Sequence, residues 1–292
     1  MRKEIVLTNE LILGVDAGNY KAKVAGVYGI DSFKTNICNW FERDIEETFG
    51  PDDMEFDIEG RKGYAGTIAQ FEDEFGDGTT YGDTKAHQDT KIRILLAIYR
   101  YIDKYCKGVE RVSLVTGQPI NRHKEGEKSK IIDMLVDDYD FWVNGKRANF
   151  TIEAVKVAPE GSAAFWSQNQ RDLKIIDIGS GTVNFATILD KKHIHKSSST
   201  LNTGIETLRN KDDYEALARA IFQFATKLKW KNTDAVAVCG GIAEKFTSYL
   251  EKHFIEVSCM KPMLRRQYDT IAVPPTFANA VGFYNLAKGA FQ

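Results

Sequence analysis

Hydrophobic and polar positions follow two similar successions along this chain, one in each half. Each half begins with apolar runs that predict strands, and continues with a segment of helical periodicity and a further buried strand. The predicted strands lie at residues 11–16, 22–28, 112–116, 139–143, 148–157, 174–177, 182–189, 193–199 and 234–239. The predicted helices lie at residues 87–106, 160–166, 212–230, 242–252 and 277–288. This weak structural repeat predicts an α/β protein with two similar domains.

Turn signals connect several of these elements. Glu59-Gly60 and Asn144-Gly145 stand between strand-like runs and predict two hairpins, the second with a type I′ turn. Pro159 precedes a short apolar stretch, and proline is common at the first position of a helix. We therefore expect residues 160–166 to form a helix that connects the two halves of the chain.

The same pattern predicts the division into domains. Domain I is placed at residues 1–158 and domain II at 159–292, with the last helix packing back toward domain I. Residues 31–86 differ in character and end in a stretch rich in Gly, Asp and Thr at 76–83. We interpret them as a small subdomain inserted into domain I, the alternative being a mobile surface excursion.

Composition narrows the function classes. The chain has 292 residues, 43% of them hydrophobic and 27% charged, which is typical of a globular protein. A formal net charge of -2 gives no overall attraction to nucleic acid. The four cysteines form no CxxC pair, and the sequence shows neither a signal peptide nor a run of 18 apolar residues. We expect a cytoplasmic protein that does not bind a membrane.

Two short segments look like one motif used twice. Gly14–Lys21 and Ile176–Asn184 each follow an apolar run and contain an Asp, then glycines and small polar residues, then apolar alternation. Glycine lets backbone N–H groups point inward, so such a hairpin turn can hold a phosphate. Two of these turns facing each other would clamp a nucleoside triphosphate. The turn residues predicted to contact phosphate are Gly18, Asn19, Gly179, Gly181 and Thr182.

The two acids of these motifs are candidate metal ligands. Asp16 and Asp177 end hydrophobic strands, where a buried carboxylate is costly without a partner. A hydrated Mg²⁺ is a natural partner, because it keeps several waters and takes few carboxylates. The alternative is that each Asp only stabilises its own turn.

Other nucleotide-binding motifs are absent from the sequence. It contains neither a Walker A motif nor G-x-G-x-x-G, so the phosphate site is not a P-loop or a Rossmann turn. Gly240-Gly241 follows a predicted strand and opens a helix, which suits a backbone platform for the nucleoside. A simple tight turn is the alternative. No residue of the sequence is identified as selecting ATP over GTP.

In their order along the chain, these motifs resemble those of the actin, Hsp70 and sugar-kinase ATPases. The resemblance implies an actin-like fold, with two ribonuclease H-like domains around a nucleotide cleft. It assigns catalysis to Asp16, which would hold the water shell of the metal, Asp177, which would orient or deprotonate the attacking water, and Glu160, which would position that water. The implied nucleotide contacts are Gly18, Asn19, Lys21, Gly179, Ser180, Gly181, Thr182, Gly204, Gly240 and Gly241.

Within that superfamily the chain looks most like the plasmid-segregation actins of the ParM/StbA kind. The segments that carry this likeness are residues 56–66, 114–119 and 275–285. Such proteins hydrolyse ATP, polymerise into filaments and move plasmid copies apart through an adaptor bound to centromere-like DNA. The stretch between Gly204 and Gly240 is short and mostly helical, so an outer subdomain of domain II is expected to be missing, as in the smaller segregation actin AlfA.

Two alternatives belong to other functional classes. The first is a small-molecule kinase of the same superfamily, although residues 31–86 show no obvious substrate constellation. The second is a regulatory ATPase that does not polymerise.

Overall fold

Three β-sheets form the framework of the residues that the computed structural model describes, which are 10–45, 48–72 and 85–292. The stretch at 76–83 lies outside these residues. The first sheet has the order β3-β2-β1-β7-β9-β8-β5-β6-β4. Its strands are β1 (Glu10–Ala17), β2 (Lys21–Gly26), β3 (Gly29–Lys34), β4 (Ile37–Asn39), β5 (Met54–Ile58), β6 (Arg61–Ala65), β7 (Arg111–Gln118), β8 (Asp137–Val143) and β9 (Lys146–Pro159).

The second sheet has the order β12-β11-β10-β14-β15, and β13 also pairs with β11. Its strands are β10 (Leu173–Ile178), β11 (Val183–Leu189), β12 (Lys192–His193), β13 (Ser199–Leu201), β14 (Ala235–Gly240) and β15 (Glu256–Cys259). The third sheet is the hairpin of β16 (Met263–Arg265) and β17 (Thr270–Ala272). The α-helices of the described residues are α1 (Thr67–Glu72), α2 (Gln88–Tyr105), α3 (Glu125–Leu135), α4 (Tyr214–Lys227), α5 (Ala243–Leu250) and α6 (Ala278–Phe291).

The predicted repeat is confirmed by the strand pairing. In the first sheet β1 pairs antiparallel with β2 and parallel with β7, and in the second β10 pairs antiparallel with β11 and parallel with β14. The registers also correspond, because Asp16 lies opposite Lys23 and Asp177 lies opposite Asn184. Each half therefore presents an acid at the same place, beside the turn of its first hairpin.

The described residues between 37 and 65, which are 37–45 and 48–65, widen the first sheet. Strands β4, β5 and β6 continue it beyond β8, to which β5 is paired antiparallel. Both predicted hairpin turns are present, and the positive φ angles of Glu59, Gly60, Asn144 and Gly145 explain why these residues occupy them. In the second half, the described residues between 205 and 233 form a 3-10 turn at Ile205–Thr207 and helix α4, with no strand among them.

Helix α6 packs closely against β1 and against the connection between the halves. Gly14 of β1 and Gly282 of α6 have no side chain at the points of closest approach. A Cβ atom at Gly282 would lie 1.9 Å from the carbonyl oxygen of Ala163, and one at Gly14 would lie 2.2 Å from that of Ala280. The helix backbone therefore lies directly against β1 and against residues 160–167, which form the connection between the halves.

Two sequence predictions differ from the structure. Residues 160–166 do not form the expected helix: Pro159 ends β9, Gly161 has a φ of 73°, and a 3-10 helix spans Ala163–Ser167. Proline's fixed φ suits a strand end as well as a helix start, and the left-handed Gly161 breaks the helical path. Residues 193–199 do not form one strand either. The Ser198 hydroxyl accepts from the Thr187 N–H and donates to the Ile194 carbonyl, which interrupts the ladder.

Helix α3 and strands β15–β17 were not among the sequence predictions. These strands are three or four residues long, too short for the period-two signal to stand out. Among the described residues, no helix combines the length and the apolar character needed to cross a membrane.

Candidate functional site

A cavity of about 990 Å³ opens between the two first hairpins. Its volume is at the upper end of the range usual for small-ligand sites. Of the residues predicted to act at the site, all of which lie in the described part of the chain, Gly204 alone is not on its wall. The others that line it are Asp16, Gly18, Asn19, Lys21, Glu160, Asp177, Gly179, Ser180, Gly181, Thr182, Gly240 and Gly241. The fold thus brings together residues from distant parts of the sequence.

The first turn is held from behind by buried side chains. The hydroxyl of Thr35 donates to the Gly18 carbonyl at 2.9 Å, and Arg93 Nη1 donates to Asn19 Oδ1 at 3.0 Å. Arg93 is fully buried, and burial lowers its pKa to about 10. The Gly18 carbonyl and the Asn19 side-chain oxygen are therefore engaged by the protein, while both residues also line the cavity.

Asp16 is paired with Lys23, at 3.0 Å between Oδ2 and Nζ. The pair follows from the hairpin register, which sets the two residues opposite each other. Burial alone would lower the pKa of the Lys23 ammonium, but the surrounding carboxylates raise it above its ordinary value. The sequence prediction named Lys21, which also lines the cavity, and missed Lys23. The register of the β1–β2 hairpin is the signal that would have found it.

Asp177 is buried and accepts hydrogen bonds from two amides. Asn279 Nδ2 of α6 lies 3.0 Å from its Oδ2, and Asn184 Nδ2 lies 3.4 Å from the same oxygen. The Cys239 thiol is 3.6 Å from Oδ1. Burial raises the pKa of Asp177 and the Asp16 charge raises it further, whereas the two amide donors oppose this. Asn279 also accepts from the N–H of Gly161 at 2.9 Å, so it joins α6 to the connection between the halves.

Glu160 lies on that connection, 8% exposed, in a turn rather than on a helix. Its N–H donates to the Gln118 carbonyl at 2.8 Å, and its Oε1 lies 3.0 Å from Lys85 Nζ. Lys85 also donates to the Ala17 carbonyl at 2.7 Å. Burial raises the pKa of Glu160, Lys85 lowers it, and the charges of Asp16 and Asp177 raise it. The three acids therefore share one low-dielectric region with two lysines.

The second turn is shaped by backbone contacts. The Gly179 N–H donates to the Thr182 carbonyl at 2.9 Å, and the Glu206 N–H donates to the Ser180 carbonyl at 2.9 Å. Gly204 lies behind this turn, where a Cβ atom would come within 2.4 Å of the Ser180 carbonyl oxygen. The structure therefore places Gly204 as a packing support for the turn rather than on the cavity wall.

Gly240 ends β14 beside the second turn, where it is paired with Ile178, and Gly240 and Gly241 both line the cavity. Gly240 has a φ of 107°, and a Cβ atom there would lie 2.1 Å from the Ile178 carbonyl oxygen. Gly241 is open, because a Cβ atom there would meet no other group within 4 Å. The first glycine is needed by the fold, and the second leaves backbone accessible to a ligand.

The donor set fits a magnesium ion that shares its coordination with phosphate and water. In the part of the chain that the structure describes, no group of three His, Cys, Asp or Glu residues is arranged to hold a metal by itself. Asp16 and Asp177 nevertheless bring two buried carboxylates to the cavity wall. Mg²⁺ is usually bound in this way, through one or two carboxylates plus substrate phosphates.

Several residues of the site carry no local sequence signal. Lys23 and Asn184 could have been found from hairpin register, but Arg93, Lys85 and Asn279 reach the site only through tertiary packing. Arg93 lies within a regular helix, and its function as a support for the first turn depends on where α2 docks.

Comparisons with known proteins identify one protein family and one fold. Residues 14–162, about half of the chain, match the N-terminal domain family of actin-like proteins. No curated protein sequence matches. Among solved structures, an AlfA filament bound to AMPPNP has a TM-score of 0.75 at 21% identity, covering 97% of this chain and 99% of that one.

Two further structures have the same fold. The AlfA filament from a plasmid of B. subtilis has a TM-score of 0.76 at 22% identity, covering 93% of this chain and 97% of that one. The apo form of the pSK41 ParM protein has a TM-score of 0.69 at 16% identity, with coverages of 97% and 98%. At these identities the likeness shows a shared fold over essentially the whole chain.

Proposed function

The chain belongs to the family of actin-like proteins, and on this premise we propose that it is an ATPase that polymerises into nucleotide-dependent filaments. The observation that carries the proposal is the pair of Asp–Gly turns facing each other across one cavity of about 990 Å³. The turns come from equivalent strands of the two sheets. A triphosphate held between them would contact both halves and fix their relative position.

The residues of the cavity suit phosphate binding on both sides. Gly18 and Asn19 offer backbone N–H groups from the first turn, and Ser180, Gly181 and Thr182 offer them from the second. Gly240 and Gly241 lie where a nucleoside would rest against backbone. Lys23 and Lys21 add positive charge on the first side, and Lys23 is paired with Asp16.

Asp16 and Asp177 would hold the water shell of a magnesium ion in this cleft. The ion would neutralise charge on the phosphates when bound. Asp177 is oriented by the two amides of Asn184 and Asn279, so its carboxylate is fixed before any ligand enters. Such preorganisation is what phosphoryl transfer requires of a protein, since catalysis rests on positioning and electrostatics.

Glu160 is proposed to position the attacking water. It is an acid held beside both turns, and its raised pKa makes it a better proton acceptor than an exposed carboxylate. Glu160 lies on the connection between the halves, so the position of its carboxylate would depend on how the two halves close around a nucleotide. This role does not require the helix that the sequence suggested, because the strand end and Gly161 place the side chain.

The two halves are proposed to be unequal domains, residues 1–158 and 159–292. The first sheet carries the additional strands β4–β6, whereas the described residues 205–233 contain no comparable addition. Both AlfA structures, which are described as filaments, match at least 97% of their own length to this chain. We propose that this protein also assembles without a second outer subdomain.

Plasmid segregation is the proposed purpose of the filament. One similar filament protein is described as coming from a plasmid. The proposed partners are further copies of this chain and an adaptor protein that binds centromere-like plasmid DNA in the cytoplasm. A net charge of -2 agrees with DNA contact through an adaptor rather than directly.

Phosphate release tests the enzymatic part of the proposal. Purified protein with Mg²⁺ should release phosphate from ATP, and from GTP if the base is not selected. The same reactions should be repeated with a panel of sugars and small acids. Phosphorylation of one of these metabolites, with no release of phosphate to water, would instead identify a small-molecule kinase.

A further inference from the structure

Lys85 is a half-buried lysine of the cavity, and no sequence motif points to it. Its side chain is 13% exposed and lines the cavity. The ammonium lies between the Ala17 carbonyl, 2.7 Å away, and Glu160 Oε1, 3.0 Å away. It therefore joins the first phosphate turn to the acid on the connection between the halves.

The contact between Lys85 and Glu160 is an ion pair without good hydrogen-bond alignment. Glu160 Oε1 accepts no well-aligned hydrogen bond from any residue that the structure describes. An ammonium has three N–H donors, and Ala17 takes one of them. Lys85 can therefore turn toward a stronger acceptor in the cavity while it keeps its contact with the Ala17 carbonyl.

The charges around Lys85 favour such an exchange. The carboxylates of Asp16, Glu160 and Asp177 face the ammoniums of Lys23 and Lys85 within one buried region. The Lys23 ammonium is hydrogen-bonded to its acid, Asp16, whereas the ion pair of Lys85 with Glu160 is not an aligned hydrogen bond. A phosphate group is a strong acceptor for an ammonium, and the low dielectric of the partly enclosed site strengthens their attraction.

We propose that Lys85 binds the terminal phosphate of a nucleoside triphosphate, exchanging Glu160 for a phosphate oxygen. The proposal rests on the nucleotide-binding function proposed above. The terminal phosphate is singled out because Lys85 lies against Glu160, the residue expected beside the attacking water, which must approach that phosphate. A diphosphate lacks the group, so with it Lys85 stays on Glu160. Lys85 thereby distinguishes the triphosphate state from the diphosphate state.

Binding measurements on Lys85→Met test this directly. Dissociation constants would be measured with Mg²⁺ by calorimetry for a non-hydrolysable triphosphate analogue and for the diphosphate, at protein concentrations below polymerisation. Loss of one charge-assisted contact should weaken triphosphate binding about tenfold or more. Diphosphate binding should change by less than about twofold. An equal loss for both nucleotides, or no loss for either, would overturn the proposal.

A matched control is Lys91→Met. Lys91 is also 13% exposed and paired with an acid, Glu59, but it does not line the cavity. Neither dissociation constant should change in this variant. If Lys91→Met reproduces the loss seen with Lys85→Met, the effect is not specific to the phosphate site and the proposal fails.

The double variant Lys85→Met/Glu160→Gln separates phosphate binding from charge balance. It removes both charges of the pair, so neither is left buried without a partner. Triphosphate binding should remain weak, whereas restored binding would show that Lys85 only neutralises Glu160. This variant also provides the test if Lys85→Met alone does not fold. Wild-type protein that binds neither nucleotide would refute the proposed function itself, a result distinct from any variant-specific loss.

Discussion

Replacement of Asn279 by alanine tests how helix α6 fixes the geometry of the cleft. The Asn279 amide donates to Asp177 Oδ2 at 3.0 Å and accepts from the Gly161 N–H at 2.9 Å. Both bonds are buried, and they connect α6, the second Asp–Gly hairpin and the connection between the halves. Alanine removes both bonds and leaves the Gly161 N–H without its partner.

The expected loss in the free energy of unfolding follows from the type of each hydrogen bond. A hydrogen bond to a charged group contributes about 1.5–3 kcal/mol, and a buried N–H left unpaired costs about 1–3 kcal/mol. Allowing for partial relaxation, Asn279→Ala should lower the free energy of unfolding by about 3 kcal/mol. Because the Asn279 amide also opposes the rise of the Asp177 pKa, that pKa should increase further in the variant.

Urea unfolding without nucleotide, followed by circular dichroism, measures this change. Asn285→Ala is the control, because Asn285 lies on the same helix and also donates one hydrogen bond to the connection, to the Trp166 carbonyl, but at the surface. The control should change stability by less than about 0.5 kcal/mol. A loss for Asn279→Ala no larger than that of the control would refute the argument that α6 holds the site together through this residue.

Three further changes have expected outcomes. Glu160→Ala should reduce phosphate release while filaments, measured by their rate of disassembly, become longer-lived. Asp177→Asn should raise the melting temperature at about pH 7.5 but not near pH 4, because folding raises the pKa of Asp177. Such an acid stabilises the protein below its unfolded pKa of about 4, and this contribution is lost as the pH rises through the folded pKa. Gly282→Ala should lower the free energy of unfolding in urea by about 3 kcal/mol, because its Cβ atom would lie 1.9 Å from the Ala163 carbonyl oxygen. Its control is Gly289→Ala on the same helix, where a Cβ atom meets nothing within 4 Å, and this change should raise the free energy of unfolding by up to about 1 kcal/mol.

Each of these three predictions would be contradicted by a specific outcome. Unchanged turnover in Glu160→Ala would remove that residue from the mechanism. A melting-temperature gain for Asp177→Asn that is the same at both pH values would show that the buried charge is not its cause. Equal effects of the two glycine changes would mean that α6 does not pack through Gly282.

The sequence predicted those features that depend on local pattern. The hairpins at Asn144-Gly145 and Glu59-Gly60 were found because their turns need left-handed residues. The paired Asp–Gly turns were found because glycine and an acid at strand ends are unusual in combination. The order of these motifs was enough for the actin-like fold.

Features that depend on packing were not predicted. Lys23, the partner of Asp16, was not named among the site residues, because strand register sets this pair. Lys85 and Asn279 reach the cleft from residues far from either turn. The helix expected at 160–166 failed because Pro159 suits two structures equally and only the neighbouring strand decides between them.

Nucleotide-dependent polymerisation tests the central claim most directly. Wild-type protein at increasing concentration would be followed by light scattering with Mg²⁺ and ATP, ADP or no nucleotide, and each sample would then be sedimented. The account predicts that scattering rises with ATP above a critical concentration, that the pellet contains protein, and that both fall as ATP is consumed. Protein that remains in the supernatant at high concentration with ATP, while it binds or hydrolyses the nucleotide, would contradict the claim that this cleft drives a filament.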